Sequence, residues 1–143
     1  MFGFLGSDVK TKMVSIFIIV LILVLLYFFG YKKIREAIIN LKIKNAATKK
    51  AQSQASLGIF ATYKDAEYKT FANRLYVAMK GAGTNTSAVE TVLKSMKNEV
   101  DGAKLVAAFG VRDGETLQEW LAGEMLLKTA YYRNLASNIG IYY

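Results

Sequence analysis

The side chains that usually perform chemistry near neutral pH are missing from this sequence. Its 143 residues contain no histidine and no cysteine, which excludes imidazole bases, thiolate nucleophiles, disulfides and metal sites built from those ligands. Paired carboxylates or a Ser–Lys pair are still allowed by composition, but no motif places such groups together. The sequence therefore predicts a protein that is not an enzyme and takes no small-molecule substrate.

A glycine-rich segment, Met79-Lys80-Gly81-Ala82-Gly83-Thr84, is the most distinctive local motif. Glycine allows backbone angles that turn several carbonyl oxygens toward one point, and a distant carboxylate can complete an oxygen cage for a hard cation such as Ca²⁺. The same glycines would equally serve as a tight joint between two helices. A phosphate-binding loop is a poorer interpretation, because there is no Gly-Lys-Ser/Thr ending and no preceding strand.

The residues around this loop have the apolar periodicity of short helices. Gly81, Gly110 and Gly123 stand where helices would end. Thr84, Asn85 and Ser87 are all residue types that cap the start of a helix, and Ser87 with Glu90 fits a capping box. No alternating stretch of strand length appears. The five predicted helices cover about 64–80, 87–96, 100–109, 115–123 and 124–140. The fold class predicted for residues 61–143 is therefore all-α.

The loop and the residues after it resemble one repeat of the annexin family, whose familiar loop is M-K-G-x-G-T. Ala107-Ala108-Phe109-Gly110 and then Leu117-Gln118-Glu119-Trp120-Leu121 follow in that family's order. The resemblance covers roughly residues 64–127 and implies a five-helix annexin-like bundle. It also implies a Ca²⁺ site formed by the carbonyl oxygens of Met79, Gly81 and Gly83 and by the carboxylate of Glu124.

An uncharged apolar segment precedes this domain. Residues 13–30 contain one polar side chain, Ser15, and no charge. A helix of that length spans about 27 Å, close to the hydrocarbon core of a bilayer. A cleavable secretion signal has a shorter apolar core that ends in small residues, whereas this one ends in aromatic residues followed by Lys32 and Lys33. The sequence predicts a tail over 1–12 and a single transmembrane helix over 13–31.

Positive charge is concentrated beside this segment. Residues 1–50 carry 9 basic and 2 acidic side chains, and residues 51–143 carry 10 and 9. The positive-inside bias therefore puts the C-terminal domain on the cytoplasmic side. Residues 32–60 are predicted to form a basic amphipathic stalk or linker. The basic residues expected at the membrane surface are Lys32, Lys33, Arg35, Lys42 and Lys44. Non-specific binding to a nucleic acid, or to an acidic groove of a partner protein, is the alternative for this charge.

Aromatic residues near the C-terminus exceed what one small core can use. Tyrosine, tryptophan and arginine are common anchors at protein interfaces. The residues expected at such an interface are Trp120, Tyr131, Tyr132, Tyr142 and Tyr143.

A membrane anchor, a basic stalk and a small helical domain are typical of an adaptor that ties a bilayer to a protein layer. The organisation resembles small membrane proteins of Bacteroidetes bacteria and their phages, in which a single annexin-like repeat follows an N-terminal helix. That resemblance implies a minor structural protein in the internal membrane of a bacteriophage virion, with a capsid or coat protein as partner, or a protein of a bacterial inner membrane. The alternatives are a calcium-responsive module that binds lipid or a partner, and a membrane-perturbing lysis protein.

Overall fold

The computed structural model describes residues 7–143, so half of the predicted tail lies outside the described residues. The chain divides into two compact units, one ending at Glu36 and the other covering Ala37–Tyr143. The described part is mostly helical, which confirms the coarse prediction. Its elements are α1 (Ser7–Ala55), α2 (Asp65–Met79), α3 (Thr86–Ser95), α4 (Glu99–Phe109), β1 (Val111–Arg112), β2 (Glu115–Thr116), α5 (Leu117–Gly123), a 3₁₀ helix (Met125–Lys128) and α6 (Ala130–Ser137).

Helix α1 is 49 residues long. The sequence contains no proline, so no residue interrupts the backbone hydrogen bonds of this helix. Over Thr11–Ala55 the helix is long and apolar enough to cross a membrane. The large apolar side chains from Met13 to Phe29 are all exposed. The structure thus contains a candidate membrane-spanning helix where the sequence predicted one.

The predicted stalk over 32–60 is helical up to Ala55, and its residues from Ala37 onward belong to the second compact unit. After Ala55 the N–H of Ile59 donates to the carbonyl oxygen of Gln54 at 3.0 Å, which closes the helix end. Residues 45–58 are therefore mainly the polar end of a helix rather than a linker. These residues are mostly alanine, serine, glutamine and lysine and show little apolar periodicity, yet Ala47 among them is buried although its side chain is only a methyl group.

Two polar contacts join the part of α1 that follows Glu36 to the rest of the second unit. The side-chain oxygen of Asn40 accepts a hydrogen bond from the N–H of Val111 at 2.8 Å. Lys50 forms an ion pair with Glu99 at the start of α4. Both contacts join residues far apart in the sequence, and for that reason periodicity alone could not predict them.

Helices α2, α3 and α4 supply most of the core of the second unit. Gly110 ends α4, as predicted. Of the three residues named as N-cap types for α3, Asn85 is the one that caps it, and its side-chain oxygen accepts from the N–H of Ala88 at 3.0 Å. The predicted capping box at Ser87 and Glu90 is therefore wrong. The buried side chains of these three helices include Tyr68, Ala72, Leu75, Met79, Val89, Val92, Leu93, Val100, Leu105 and Phe109.

The most buried charged group of the described residues is the carboxylate of Asp101. One of its oxygens accepts from the N–H of Thr62 at 2.7 Å and from the hydroxyl of Tyr68 at 2.5 Å. The other accepts from the N–H of Lys97 at 2.8 Å. The carboxylate thereby holds the loop before α2 and the loop before α4 in place. Its three hydrogen bonds offset the free energy lost by removing a charged group from water.

The C-terminal third departs from the predicted five-helix bundle. The single helix predicted over 124–140 is instead a 3₁₀ helix and α6, separated by Thr129 in an extended conformation. Leu127 is fully buried there, and its carbonyl oxygen accepts from the hydroxyl of Tyr143 at 2.8 Å. This bond ties the C-terminal end of the chain to the 3₁₀ helix.

A short antiparallel hairpin, which the prediction lacked, joins α4 to α5. Val111 pairs with Thr116, and Arg112 pairs with Glu115. Asp113 and Gly114 form its turn with φ angles of 52° and 91°. Asp-Gly is a strong hairpin signal even where the strands are too short to show alternation.

Candidate functional site

The glycine loop leaves α2 at Met79 and returns to α3 at Asn85. The N–H of Asn85 donates to the carbonyl oxygen of Ala78 at 2.8 Å, which closes the loop at its base. Gly81 and Gly83 have φ angles of 119° and 101°, a region that other residues rarely adopt. No atom lies within 4 Å of a Cβ built at either glycine. Glycine is therefore required here for its backbone angle and not for lack of space.

Glu124 reaches this loop from the end of α5. Its carboxylate accepts a hydrogen bond from the hydroxyl of Thr84, a residue forty positions earlier. The structure thus brings together the loop that holds Gly81 and Gly83 and the carboxylate that the sequence analysis paired with it. The side chain of Met79 is buried in the core, so only its carbonyl oxygen can act as a ligand.

No cluster of acidic side chains marks this loop: the described residues contain no group of three or more that could hold a metal ion. The carboxylate that the structure does bring to the loop is that of Glu124. Backbone carbonyl and carboxylate oxygens are both usual Ca²⁺ ligands.

The basic residues predicted at a membrane surface are all exposed, but they belong to different units. Lys32, Lys33 and Arg35 lie in the unit that ends at Glu36, whereas Lys42 and Lys44 lie in the second unit. Lys44 also lines a cavity formed with α2 and α4. The side chain of Lys44 is thereby available to a ligand of that cavity.

Three of the five aromatic residues predicted at a partner interface have structural roles. The indole N–H of Trp120 donates to the carbonyl oxygen of Arg112 at 3.1 Å, and its ring packs edge-to-face on Tyr76 with centroids 5.6 Å apart. Tyr132 and Tyr143 pack against the core. Burial raises the pKa of the Tyr143 hydroxyl above its usual value. These side chains fix the C-terminal third of the unit.

The other two aromatic residues are exposed, although the hydroxyl of Tyr131 also donates to the carboxylate of Glu90 at 2.5 Å. Two apolar residues that the sequence analysis missed are exposed as well. Tyr131 and Tyr142 are 49% and 70% exposed, and Met125 and Leu126 of the 3₁₀ helix are 81% and 57% exposed. The bond from Tyr143 to Leu127 brings the chain beside this helix. We call Met125, Leu126, Tyr131 and Tyr142 the exposed apolar surface. The run Met125-Leu126-Leu127 could have predicted exposed apolar residues here, because three consecutive side chains cannot all point into one core.

A second cluster stabilises the hairpin against α2. The hydroxyl of Tyr76 donates to the carboxylate of Asp113 at 2.8 Å, and Lys80 contacts the same hydroxyl. The guanidinium of Arg112 lies 5.0 Å from the ring centroids of Tyr76 and Phe109. Hydrogen bonding to Tyr76 and the charge of Asp113 raise the pKa of the Lys80 ammonium. The groups pair among themselves, which is typical of a structural cluster.

Comparison with known proteins gives no relative: no family model, no curated protein and no solved structure matches this chain. The annexin resemblance therefore depends on its motif residues alone, and it stays a prediction.

Proposed function

We propose that this protein is a single-pass membrane protein whose second unit, Ala37–Tyr143, ties the bilayer to a protein layer. We call this second unit the helical unit. The observation that carries the proposal is the N-terminal part of α1, whose large apolar side chains from Met13 to Phe29 are all exposed. Removing apolar surface from water is favourable by about 25 cal/mol per Å². A surface of this extent is therefore strongly unfavourable in water, and the hydrocarbon of a bilayer would cover it.

The exposed apolar surface supports the second half of the proposal. Met125 and Tyr142 each leave more than two thirds of their surface uncovered, although the core a few residues away is closely packed. Tyrosine and methionine are enriched at protein interfaces. The partner we propose is a coat or capsid protein of a virion with an internal membrane. The helical unit then lies on the cytoplasmic side of a cell membrane, or on the side of the virion membrane that faces the coat.

Cross-linking mass spectrometry on native membranes or particles tests this function. Lys128 is exposed within the 3₁₀ helix, and we expect it to link stoichiometrically to one abundant coat-like protein. The double substitution Met125→Ser with Tyr142→Ala should remove the link. Val77→Ser is the matched control, because Val77 is 72% exposed on α2 outside this surface. Links only to scattered membrane proteins would refute the tether.

A calcium-responsive module is the second candidate, and the contact between Thr84 and Glu124 favours it. If Ca²⁺ binds at this loop, millimolar Ca²⁺ should raise the melting temperature of the wild type and leave Glu124→Gln unchanged. Glu115→Gln removes an exposed carboxylate from the hairpin and should keep the response. An equal response of the wild type and Glu124→Gln would exclude this site.

A further inference from the structure

An open cavity of about 660 Å³ lies between the C-terminal part of α1 and the helices α2 and α4. Its lining residues all fall within the helical unit, and its volume is within the range of small-molecule sites. We call it the α1–α4 cavity. Most of its lining side chains are apolar, and six of them are alanines: Ala47, Ala51, Ala55, Ala61, Ala107 and Ala108.

Two lysines line the α1–α4 cavity from facing helices. Lys50 of α1 contacts the first residue of α4, and Asn40 contacts the residue two positions after the last one. The two helices therefore run antiparallel, and the part of α1 around Lys44 lies beside the part of α4 around Lys104. Because both lysines line the cavity, their positive charges enter it at about the same level.

A third lysine lines the cavity from α2. Lys104 pairs with Asp65 of α2, their charged atoms being 2.9 Å apart. Lys104 first, and Lys69 to a lesser degree, lower the pKa of the Asp65 carboxyl, so both ammonium groups lie near it. Within residues 7–143, neither Lys44 nor Lys69 belongs to an ion pair. With Asp65 as its single carboxylate, the lining has a net charge of +2 and favours an anion.

The end of the cavity near the start of α4 is apolar. The carbonyl oxygen of Phe60 accepts from the side chain of Asn98 at 3.1 Å, which places Phe60 beside the first turn of α4. The ring of Phe60 lines the cavity and is 65% exposed, and Ala61 and Val100 line it as well. Lys104 lies six residues after Asn98, which is about 9 Å along the helix. The cavity thus combines an apolar end with a positively charged part.

This combination favours an occupant with a compact anionic head and an apolar tail. An inorganic anion would contact the lysines but would leave the ring of Phe60 in water. A nucleic acid or an extended peptide is polar along its whole length, and buried polar groups need partners. Among the described residues that line the cavity, Thr48 and Gln52 are the uncharged polar side chains, besides Tyr68, whose hydroxyl already donates to Asp101. An acyl chain needs no such partners.

We propose that the α1–α4 cavity binds a single-chain anionic lipid, with its carboxylate or phosphate head beside Lys44, Lys69 and Lys104 and its acyl chain directed toward Phe60. The inference goes beyond the proposed tether and rests on it only for the membrane that supplies the lipid. The α1–α4 cavity and the exposed apolar surface are formed by different residues, so each can fail alone.

The test uses the full chain in nanodiscs of zwitterionic lipid and a palmitic acid probe with a photoreactive diazirine in its chain. After irradiation and digestion with trypsin, mass spectrometry measures the label in two peptides. Peptide 13–32 reports the hydrocarbon of the bilayer, and peptide 51–64, which contains Phe60, reports the cavity. We expect label in both. No label in peptide 13–32 would refute the membrane anchor, whereas label there without label in peptide 51–64 would refute the lipid site.

Competition tests the charge and the tail of the occupant. Excess unlabelled palmitate should reduce the label in peptide 51–64 about tenfold or more, whereas methyl palmitate, which has the same chain without the charge, should not. Equal competition by the ester would overturn the proposal. Hexadecyl phosphate should also compete, and the more potent of the two anions identifies the head. Displacement by inorganic phosphate or by a single-stranded oligonucleotide at the same concentration as palmitate would replace the lipid with a compact anion or a nucleic acid and so overturn the proposal.

Charge-reversal variants test the location of the head. Lys44→Glu with Lys69→Glu should lower the ratio of label in peptide 51–64 to label in peptide 13–32 about tenfold or more. Lys49→Glu with Lys97→Glu is the matched control, because both lysines are exposed and neither lines the cavity. None of the four changes alters the ends of peptide 51–64. An unchanged ratio in the first variant, or an equal loss in the control, would refute the site.

Discussion

Asp101 is the residue on which two loops of the helical unit depend. Burial would raise the pKa of its carboxyl, but hydrogen bonds from Thr62, Tyr68 and Lys97 outweigh burial and hold the pKa below its usual value. The same arrangement raises the pKa of the Tyr68 hydroxyl, through burial first and then through its bond to the carboxylate. The negative charge of Asp101 and the neutral hydroxyl of Tyr68 thus stabilise each other's protonation state.

Asp101→Asn should lower the free energy of unfolding by about 3 kcal/mol, because an amide cannot accept all three hydrogen bonds as well as a carboxylate. The pKa of Asp101 is lower in the folded state than in the unfolded chain, where it is about 3.9. The ionised carboxylate therefore stabilises the folded state at pH values above about 3.9, and this stabilisation is lost as the pH falls through the folded-state pKa. The variant should therefore lose less stability than the wild type on acidification below about pH 4.

Urea denaturation followed by tryptophan fluorescence checks this prediction, since the single tryptophan, Trp120, lies in the helical unit. Asp65→Asn is the control, because Asp65 is exposed in an ion pair with Lys104 and its loss should change the urea midpoint little. An unchanged midpoint for Asp101→Asn at pH 7 would show that the carboxylate does not stabilise the fold.

At the scale of elements, α4 approaches the C-terminal segment closely. A Cβ built on Gly102 would lie 1.9 Å from the carbonyl oxygen of Ile139. Ile139 and Ile141 are both buried, so this segment forms part of the core and cannot move away at low cost. Gly102 is thus required for space, in contrast to the loop glycines.

Gly102→Ala should destabilise the unit by about 2 kcal/mol or more, because the added methyl group forces α4 and the C-terminal segment apart. Gly123→Ala is the matched control: Gly123 is the last residue of α5 and has no atom within 4 Å of a built Cβ. That control should be neutral or stabilising by about 0.5 kcal/mol. Equal urea midpoints for the two variants, read from Trp120 fluorescence, would contradict the close packing.

The elements that the sequence predicted well are those with a strong local signal. Helices α2 and α4 have apolar residues at helical spacing and end near the expected positions, α4 at Gly110. The continuous helix predicted over 124–140 is wrong, because Thr129 is extended between the 3₁₀ helix and α6, and no glycine or proline in residues 125–137 marks that break. The meeting of the glycine loop with Glu124 could be predicted by resemblance only, since no periodicity links residues forty positions apart.

At the scale of the whole molecule, the two units differ in what they leave exposed. The unit that ends at Glu36 exposes a continuous run of large apolar side chains, whereas the unit Ala37–Tyr143 encloses a core and exposes scattered apolar side chains such as Met125 and Tyr142. Hydropathy predicted the apolar run over 13–31, but the helical domain was predicted to begin at residue 61, whereas the second unit begins at Ala37. The cavity that Lys44 lines with α2 and α4 could not be predicted, because it depends on the packing of α1 against these two helices.

Membrane orientation can be tested with single cysteines, since the sequence contains none. If the positive-inside bias holds, Ser7→Cys should react with a membrane-impermeant maleimide in intact bacterial spheroplasts. Ser53→Cys, in the exposed polar part of α1, should react only after lysis. The reverse labelling pattern would invert the proposed topology, and labelling of both sites before lysis would refute a membrane-spanning helix.

The bond between Thr62 and Asp101 joins residues 39 positions apart, and this separation has a consequence during synthesis. At about 5–20 residues per second, a ribosome adds Asp101 roughly 2–8 s after Thr62. For that interval the apolar face of α2, with Tyr68, Leu75 and Met79, has neither α4 nor its anchoring carboxylate. Nascent chains of this protein should therefore be most accessible to chaperones and proteases between the emergence of α2 and the emergence of α4 from the ribosome.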